Sequence, residues 1–213
     1  MKLYFVRHGK TEWNLEGRFQ GASGDSPLLD TSIEQLSILG KYLADTRFDI
    51  IYSSDLPRAV HSAEIIQEEN QFPVDIVTTT ALREWQLGKL EGTKFSTMEA
   101  IYSQQMNAFR HNLAQFNPNI FEAESVYQTT HRTISFIKSL KEKPFENILF
   151  MGHGANLTAS IKSLLGYSVA LLRKDGGLSN GSLTILETDD FDHFKLLTWN
   201  NLDYLLEENV VQL

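Results

Sequence analysis

Apolar positions along the chain follow two recurring patterns, short unbroken runs and longer stretches at helical spacing. Leu3-Tyr4-Phe5-Val6 is an unbroken run of β-formers that stops at Arg7-His8-Gly9. A turn-rich stretch from Gly17 to Asp30 follows, with glycines and Pro27. Thr31 with Glu34 reads as a capping box that opens a helix, and Ile33, Leu36, Gly40 and Leu43 repeat at helical spacing after it. Asp49 to Tyr52 is a second buried run, closed by Ser53-Ser54-Asp55. Pro57 then suits a first helical turn, and Ala59, Ala63 and Ile66 give the apolar face of a second helix.

Val74 to Thr79 predicts a third strand, and residues 125–141 a long helix. Asn147 to Met151 predicts a fourth strand, which runs into Gly152-His153-Gly154. Leu157, Ile161 and Leu164 mark the helix beyond it. Strands over 182–187 and 194–200 finish the pattern, with a short tail read as helical. The alternation of strand, loop and helix predicts an α/β fold. We expect a three-layer sandwich whose central sheet is mostly parallel and carries helices on both faces. The stretch 93–124 breaks this rhythm. Phe95, Met98, Tyr102 and Phe109 give helical spacing with no strand between them, so it reads as a helical insertion over one end of the sheet. The aromatic and Met stripe is taken as the core of that insertion rather than a substrate lining.

The length, 213 residues, fits one domain spanning 1–213 with that insertion. Charge narrows the partners. Lys and Arg number 19 against 27 Asp and Glu, a net charge of −8. Such a surface repels phosphate backbones and anionic bilayers, so neither nucleic acid nor membrane is expected. The chain has no cysteine, which removes disulfides, thiolate metal sites and a Cys nucleophile. Its apolar runs are too short for a signal core or a membrane span, so a cytoplasmic protein is expected. The late strands offer an edge for a possible homodimer.

Ligands of open α/β sheets bind outside the carboxyl ends of the strands. Four predicted strand ends lead to unusual residues: Arg7-His8-Gly9, Arg58, Glu84, and His153 between two glycines. Glycine beside each His lets the backbone bend sharply and a ligand approach closely. These types suit phosphoryl transfer. Arg presents a planar fork matched to phosphate oxygens. A neutral imidazole is a nucleophile at phosphorus, a second His can donate to an equatorial oxygen, and a carboxyl group can pass a proton. Asn14 and Gln20 add neutral donors after the first strand. His61, His111, His131 and His193 lack both a glycine neighbour and a strand end, and are left as ordinary surface or core residues. Lys10 and Arg83 lie beside candidates but read as solvated. A metal held by His8, His153 and Glu84 was the competing account, disfavoured by the two nearby arginines.

In order along the chain stand Arg7-His8-Gly9-Lys10-Thr11-Glu12-Trp13-Asn14, Arg18-Phe19-Gln20-Gly21 and Asp25-Ser26-Pro27-Leu28. They are followed by Ser53-Ser54-Asp55-Leu56-Pro57-Arg58-Ala59, Leu82-Arg83-Glu84 through Gly88 to Glu91-Gly92, and Gly152-His153-Gly154. This series resembles the histidine phosphatase superfamily, also called the phosphoglycerate mutase family, over residues 3 to about 160. The resemblance implies that His8 is the nucleophile that becomes a phosphohistidine and that Glu84 gives and takes the proton. It also implies that Arg7, Arg58 and His153 hold the phosphoryl group, with Asn14 assisting and Gln20 and Gly21 near the substrate. It implies no metal and no cofactor. Two positions depart from the pattern: Lys10 replaces an acidic residue or Gln, and Gly152 stands where Ser is frequent.

Trp85-Gln86-Leu87-Gly88 after Glu84 looks more like the phosphatase branch than the mutases, which carry an aromatic Tyr-Gly element there. A mutase must also retain a small, highly charged bisphosphate, and between 93 and 124 only Lys94 and Arg110 are basic. The expectation is therefore a metal-independent phosphomonoesterase acting on a small phosphorylated metabolite. A cofactor-dependent phosphoglycerate mutase and a non-catalytic phosphoester-binding protein are the alternatives.

Overall fold

The apolar runs assemble into one six-stranded mixed sheet in the computed structural model, which describes residues 1–206. The strands are β1 (Lys2–Arg7), β2 (Ile50–Ser54), β3 (Ile76–Thr79), β4 (Asn147–Gly152), β5 (Leu183–Glu187) and β6 (Lys195–Asn201), in the order β3-β2-β4-β1-β5-β6. The first four run parallel, β1 and β2 each pairing with β4 and β2 with β3. β5 and β6 are added antiparallel, so the sheet is mostly parallel as expected. β6 forms one edge, with Leu196 and Leu197 partly exposed on it.

The period-2 alternation of side chains divides the core between the two faces. Tyr4 and Val6 of β1 join Ile51, Leu149 and Met151 under α2 (Asp30–Tyr42) and α3 (Pro57–Glu68). Leu3 and Phe5 point the other way, with Ile148 and Phe150, under α6 (Val126–Lys138) and α7 (Gly154–Leu164). Full burial of each such side chain stabilises the fold by about 1.5–3 kcal/mol. A third cluster caps one end of the molecule. It joins Trp85, Leu87 and Phe19 to Met98 of α4 (Phe95–Ile101) and Met106 and Phe109 of α5 (Ser103–His111), with Phe116 and Phe121 beyond them. That is the helical insertion read from residues 93–124.

Several boundaries differ from the sequence reading. The capping box expected at Thr31 and Glu34 does not form. α2 begins at Asp30 with Leu29 at its N-cap and no capping side chain, while Ser32 Oγ instead accepts from Lys10 N–H at 2.8 Å. Capping boxes appear elsewhere, at Ser125 for α6 and at Thr11 for α1 (Glu12–Leu15), a helix too short to show apolar periodicity. The third strand begins at Ile76 rather than Val74, because Val74 C=O is taken by the Gln67 side chain. The helical tail lies mostly outside the described residues. Among the described residues no helix is long and apolar enough to cross a membrane.

Candidate active site

Parallel strands end on one rim, and β1 and β4 end side by side there, with Arg7 in register with Gly152. The chain leaves both strands at a histidine. His8 N–H donates to Gly152 C=O at 2.9 Å, and the rings of His8 and His153 lie 5.1 Å apart. His8 is 3 % exposed and His153 fully buried. Burial, then the charges of Arg58 and Arg7, hold the pKa of His8 well below its ordinary value. His153 is depressed in the same way, by burial and then by Arg58, His8, Arg7 and Arg132. Both imidazoles are neutral near pH 7.

Neutrality makes the tautomer decisive. His8 Nδ1 lies 2.7 Å from Gly9 C=O, which only accepts, so Nδ1 carries the proton and Nε2 the free lone pair. His153 has the opposite arrangement. Its Nε2 lies 2.8 Å from Ser54 Oγ, which already accepts from Leu56 N–H. No other acceptor for the Ser54 hydroxyl stands among the described residues, so its proton is assigned to Nε2 and the ring proton to Nδ1. His153 Nδ1 has no hydrogen-bond partner among the described residues, nor do Arg7 Nε and Arg58 Nε. An unpaired buried donor costs about 1–3 kcal/mol, so three such groups beside one pair of rings are available to bind an anion.

The remaining bonds fix those donors. Arg58 is 2 % exposed near the start of α3. Its two Nη groups donate to Gly21 C=O at 2.8 Å, Gly24 C=O at 2.9 Å and Asp25 Oδ1 at 2.8 Å. Arg7 Nη1 donates to Leu178 C=O at 2.5 Å, and burial brings its pKa down to about 10, against the pull of Glu84. The guanidinium lies against Gly154, where a Cβ would stand 2.8 Å from its Cζ and Nε. Here glycine provides close approach at the N-terminus of α7, not an unusual backbone angle.

Glu84 caps that same helix from outside. Its Oε1 accepts from Trp85 N–H at 2.9 Å and Asn156 N–H at 2.7 Å, and its Oε2 accepts from Ala155 N–H at 2.8 Å. Oε2 therefore has the freer lone pair. Arg132 steadies the segment, donating to the carbonyls of Ala81, Arg83 and Glu84. With its oxygens so engaged and His153 Nε2 on Ser54, the three-residue metal set of Glu84, His8 and His153 does not form. Among the described residues no three His, Asp or Glu side chains come together as metal ligands.

A cleft of about 200 Å³ opens beside this set, lined by Arg7, Asn14, Gln20 and Glu84 of the predicted residues. His8, Arg58 and His153 are covered and do not form its wall. Gly21 does not line it either. Its N–H donates to Glu91 Oε1 and its C=O accepts from Arg58, so it builds the site from behind. Gln20 is largely committed to Thr11 and Ser26. Phe95 and Phe109 line the cleft as well as packing in the insertion, so the aromatic stripe plays both parts. Arg83 is held bidentately by Asp55.

Three participants were missed. Arg173 and Arg18 line the cleft, and Asn180 Nδ2 donates to His8 C=O, Gly9 C=O and Asn14 Oδ1. Arg18 lies in the Arg18-Phe19-Gln20-Gly21 motif, where nothing in the local sequence marks it as a cleft residue. The other two lie in the irregular stretch before β5, where no periodicity or strand end marks them. They also remove one ground for setting the mutase aside. The cations beyond the phosphoryl pocket come from outside 93–124, while Arg110 within it is paired with Glu99.

The profile of the histidine phosphatase superfamily (branch 1) matches residues 3–202. The chain is 33 % identical over 166 residues to a 2,3-bisphosphoglycerate-dependent phosphoglycerate mutase of Cytophaga hutchinsonii, covering 76 % of each. It is 32 % identical over 166 residues to a putative phosphoserine phosphatase 2 of Hydrogenobacter thermophilus, covering 78 % of this chain and 79 % of that one. A mycobacterial glucosyl-3-phosphoglycerate phosphatase, solved in complex with VO3, superposes with a TM-score of 0.84 at 26 % identity, covering 93 % of this chain and 98 % of that one.

Proposed function

The chain belongs to the histidine phosphatase superfamily, and from that premise we propose that it is a metal-independent phosphomonoesterase acting through a phosphohistidine on His8. The observation that carries this reading is the pair of rings 5.1 Å apart with opposite assigned tautomers, a free Nε2 on His8 and a donor Nδ1 on His153, both kept neutral by burial and two arginines. A neutral imidazole fixed in this way needs no further deprotonation to attack phosphorus.

The steps follow from the atoms. His8 Nε2 bonds to phosphorus as the ester P–O bond breaks, and the leaving oxygen takes a proton from Glu84 Oε2. Arg7 Nε, Arg58 Nε and His153 Nδ1 donate to the oxygens on which charge builds, in a buried setting where such donors act strongly. Asn14 assists from the cleft wall. Water then attacks phosphorus, Glu84 takes its proton, and the P–N bond breaks to release phosphate. Nδ1–H stays on Gly9 throughout and restores the same tautomer.

The test is hydrolysis of p-nitrophenyl phosphate with chelator present. We expect turnover by the parent and a fall on the order of 10⁴-fold in His8→Ala, because the covalent route is removed. Equal rates for the two proteins overturn the reading.

Interconversion of phosphoglycerates remains the second reading, favoured by Arg173 in the cleft. A coupled assay with added 2,3-bisphosphoglycerate separates the two. Isomerisation much faster than phosphate release assigns the protein to the mutases.

A further inference from the structure

We infer that Arg173 selects phosphomonoesters whose leaving group carries a second anionic group. The inference rests on the phosphatase reading and names the substrate class of the same site. Arg173 is 8 % exposed and lines the cleft. Its Nη1 donates to Phe109 C=O at 2.7 Å, its guanidinium stacks 4.4 Å from the Phe109 ring centroid, and its Nε has no partner. It forms no ion pair among the described residues. Arg18 nearby is neutralised by Glu16. A buried guanidinium with an unpaired N–H beside an open cleft is a fixed binding group for an anion.

Position decides which anion. Arg173 lines the open cleft together with Glu84, Phe95 and Phe109, whereas His8, His153 and Arg58 do not reach its wall. Glu84 passes the proton to the leaving oxygen, so Arg173 faces what is esterified rather than the phosphoryl group itself. Phe19, Phe95 and Leu178 line the cleft as well and give the leaving group an apolar wall. The segment carrying Arg173 is tied down by Asp175, which accepts from Lys162 Nζ at 2.8 Å. Lys162 is itself 4 % exposed and packed on the rings of Tyr167 and Trp199. Such anchoring holds the guanidinium before substrate arrives.

The experiment compares glycerol 3-phosphate, 3-phosphoglycerate and 2,3-bisphosphoglycerate, which offer no second anion, a carboxylate, and a carboxylate together with a second phosphoryl group. For the parent, kcat/KM is expected to favour at least one of the latter two over glycerol 3-phosphate by about tenfold or more. In Arg173→Met that preference falls to within about threefold, with the loss mainly in KM, and Arg173→Lys recovers part of it. Thermal melts confirm folding, and inhibition by inorganic phosphate weakens by less than the second-anion substrates do. An equal loss for all three esters overturns the inference and places Arg173 on the phosphoryl group. No preference in the parent overturns it as well. If the parent turns over none of the esters, nor p-nitrophenyl phosphate, the phosphatase reading fails separately. The same preferences are then read as dissociation constants by calorimetry on His8→Ala.

Discussion

The phosphoryl pocket and the cleft above it are built from the same kinds of side chain and are organised oppositely. In the pocket each reactive atom is held from behind by backbone: Gly9 C=O fixes His8, the carbonyls of Gly21 and Gly24 fix Arg58, and three N–H groups fix Glu84. What remains unpaired is Nε on Arg58 and Nε2 on His8, while Glu84 keeps its freer lone pair on Oε2. In the cleft, Phe95 and Phe109 come from the insertion, Arg18 from the loop after α1, and Arg173 from the segment before β5. The difference teaches where chemistry and selectivity separate. In the proposed reaction, groups at strand ends, fixed by the sheet, would serve the phosphoryl step, whereas groups on connecting segments can vary without disturbing it.

Breaking the inner half should have the largest effect. Arg58→Met removes three hydrogen bonds and leaves Gly21 and Gly24 carbonyls and the Asp25 carboxylate without their donor. We expect a loss of about 3 kcal/mol in stability, by the behaviour of broken buried pairs, moderated because Asp25 is partly solvated. Activity towards p-nitrophenyl phosphate should fall by about 10³-fold. Denaturant unfolding and initial rates check the two parts. A variant within 1 kcal/mol of the parent in stability would show that Arg58 is no brace for the pocket.

Gly154→Ala sharpens the contrast by separating activity from stability. The added Cβ meets the flexible end of Arg7 at 2.8 Å, not backbone, so the guanidinium can move aside. The fold should lose about 1 kcal/mol or less. Arg7 Nε, however, leaves its place beside the two histidines, and kcat/KM should fall by about 10–100-fold. Comparable melting temperatures with a large rate loss support this account of the glycine. A large drop in both would mean that the clash is borne by the helix.

The same contrast explains what could be read from the sequence. His8 and His153 were legible because a buried apolar run, an abrupt end and a flanking glycine coincide at each. The sheet was legible for the same reason, since strands covered on both faces read as unbroken apolar runs. Arg173 and Asn180 were not, because they sit in a segment shaped by distant partners, Phe109 and the loop after β1, that no local spacing encodes. Thr31 and Glu34 show the reverse error. The local capping signal is present, but Ser32 is used to hold Lys10 N–H, and α2 starts two residues earlier than a Thr31 cap would place it, at Asp30. The dual use of Phe95 and Phe109 was hidden because helical spacing marks an apolar face without saying whether protein or substrate covers it.

The smallest expected effect is a slope with pH, and here the comparison is between the buried histidines and one on the surface. His8 and His153 have folded pKa values held well below 6.5, so below that pH the unfolded chain binds protons that the native protein does not. Stability then rises with pH through this window and is lost as pH falls, by about 0.7 kcal/mol per histidine between pH 7 and 6. His193, exposed beside Asp190, is shifted the other way by that hydrogen bond and charge. Its small contribution is present below the unfolded pKa and is lost as pH rises through the folded one. Denaturant midpoints for the parent and for His193→Asn, at pH 6 and 7, separate the terms. The substitution should leave the downward slope of the parent nearly intact. If it flattens that slope, the imidazoles in the pocket are charged, and a lone pair on His8 Nε2 is not what the fold preserves.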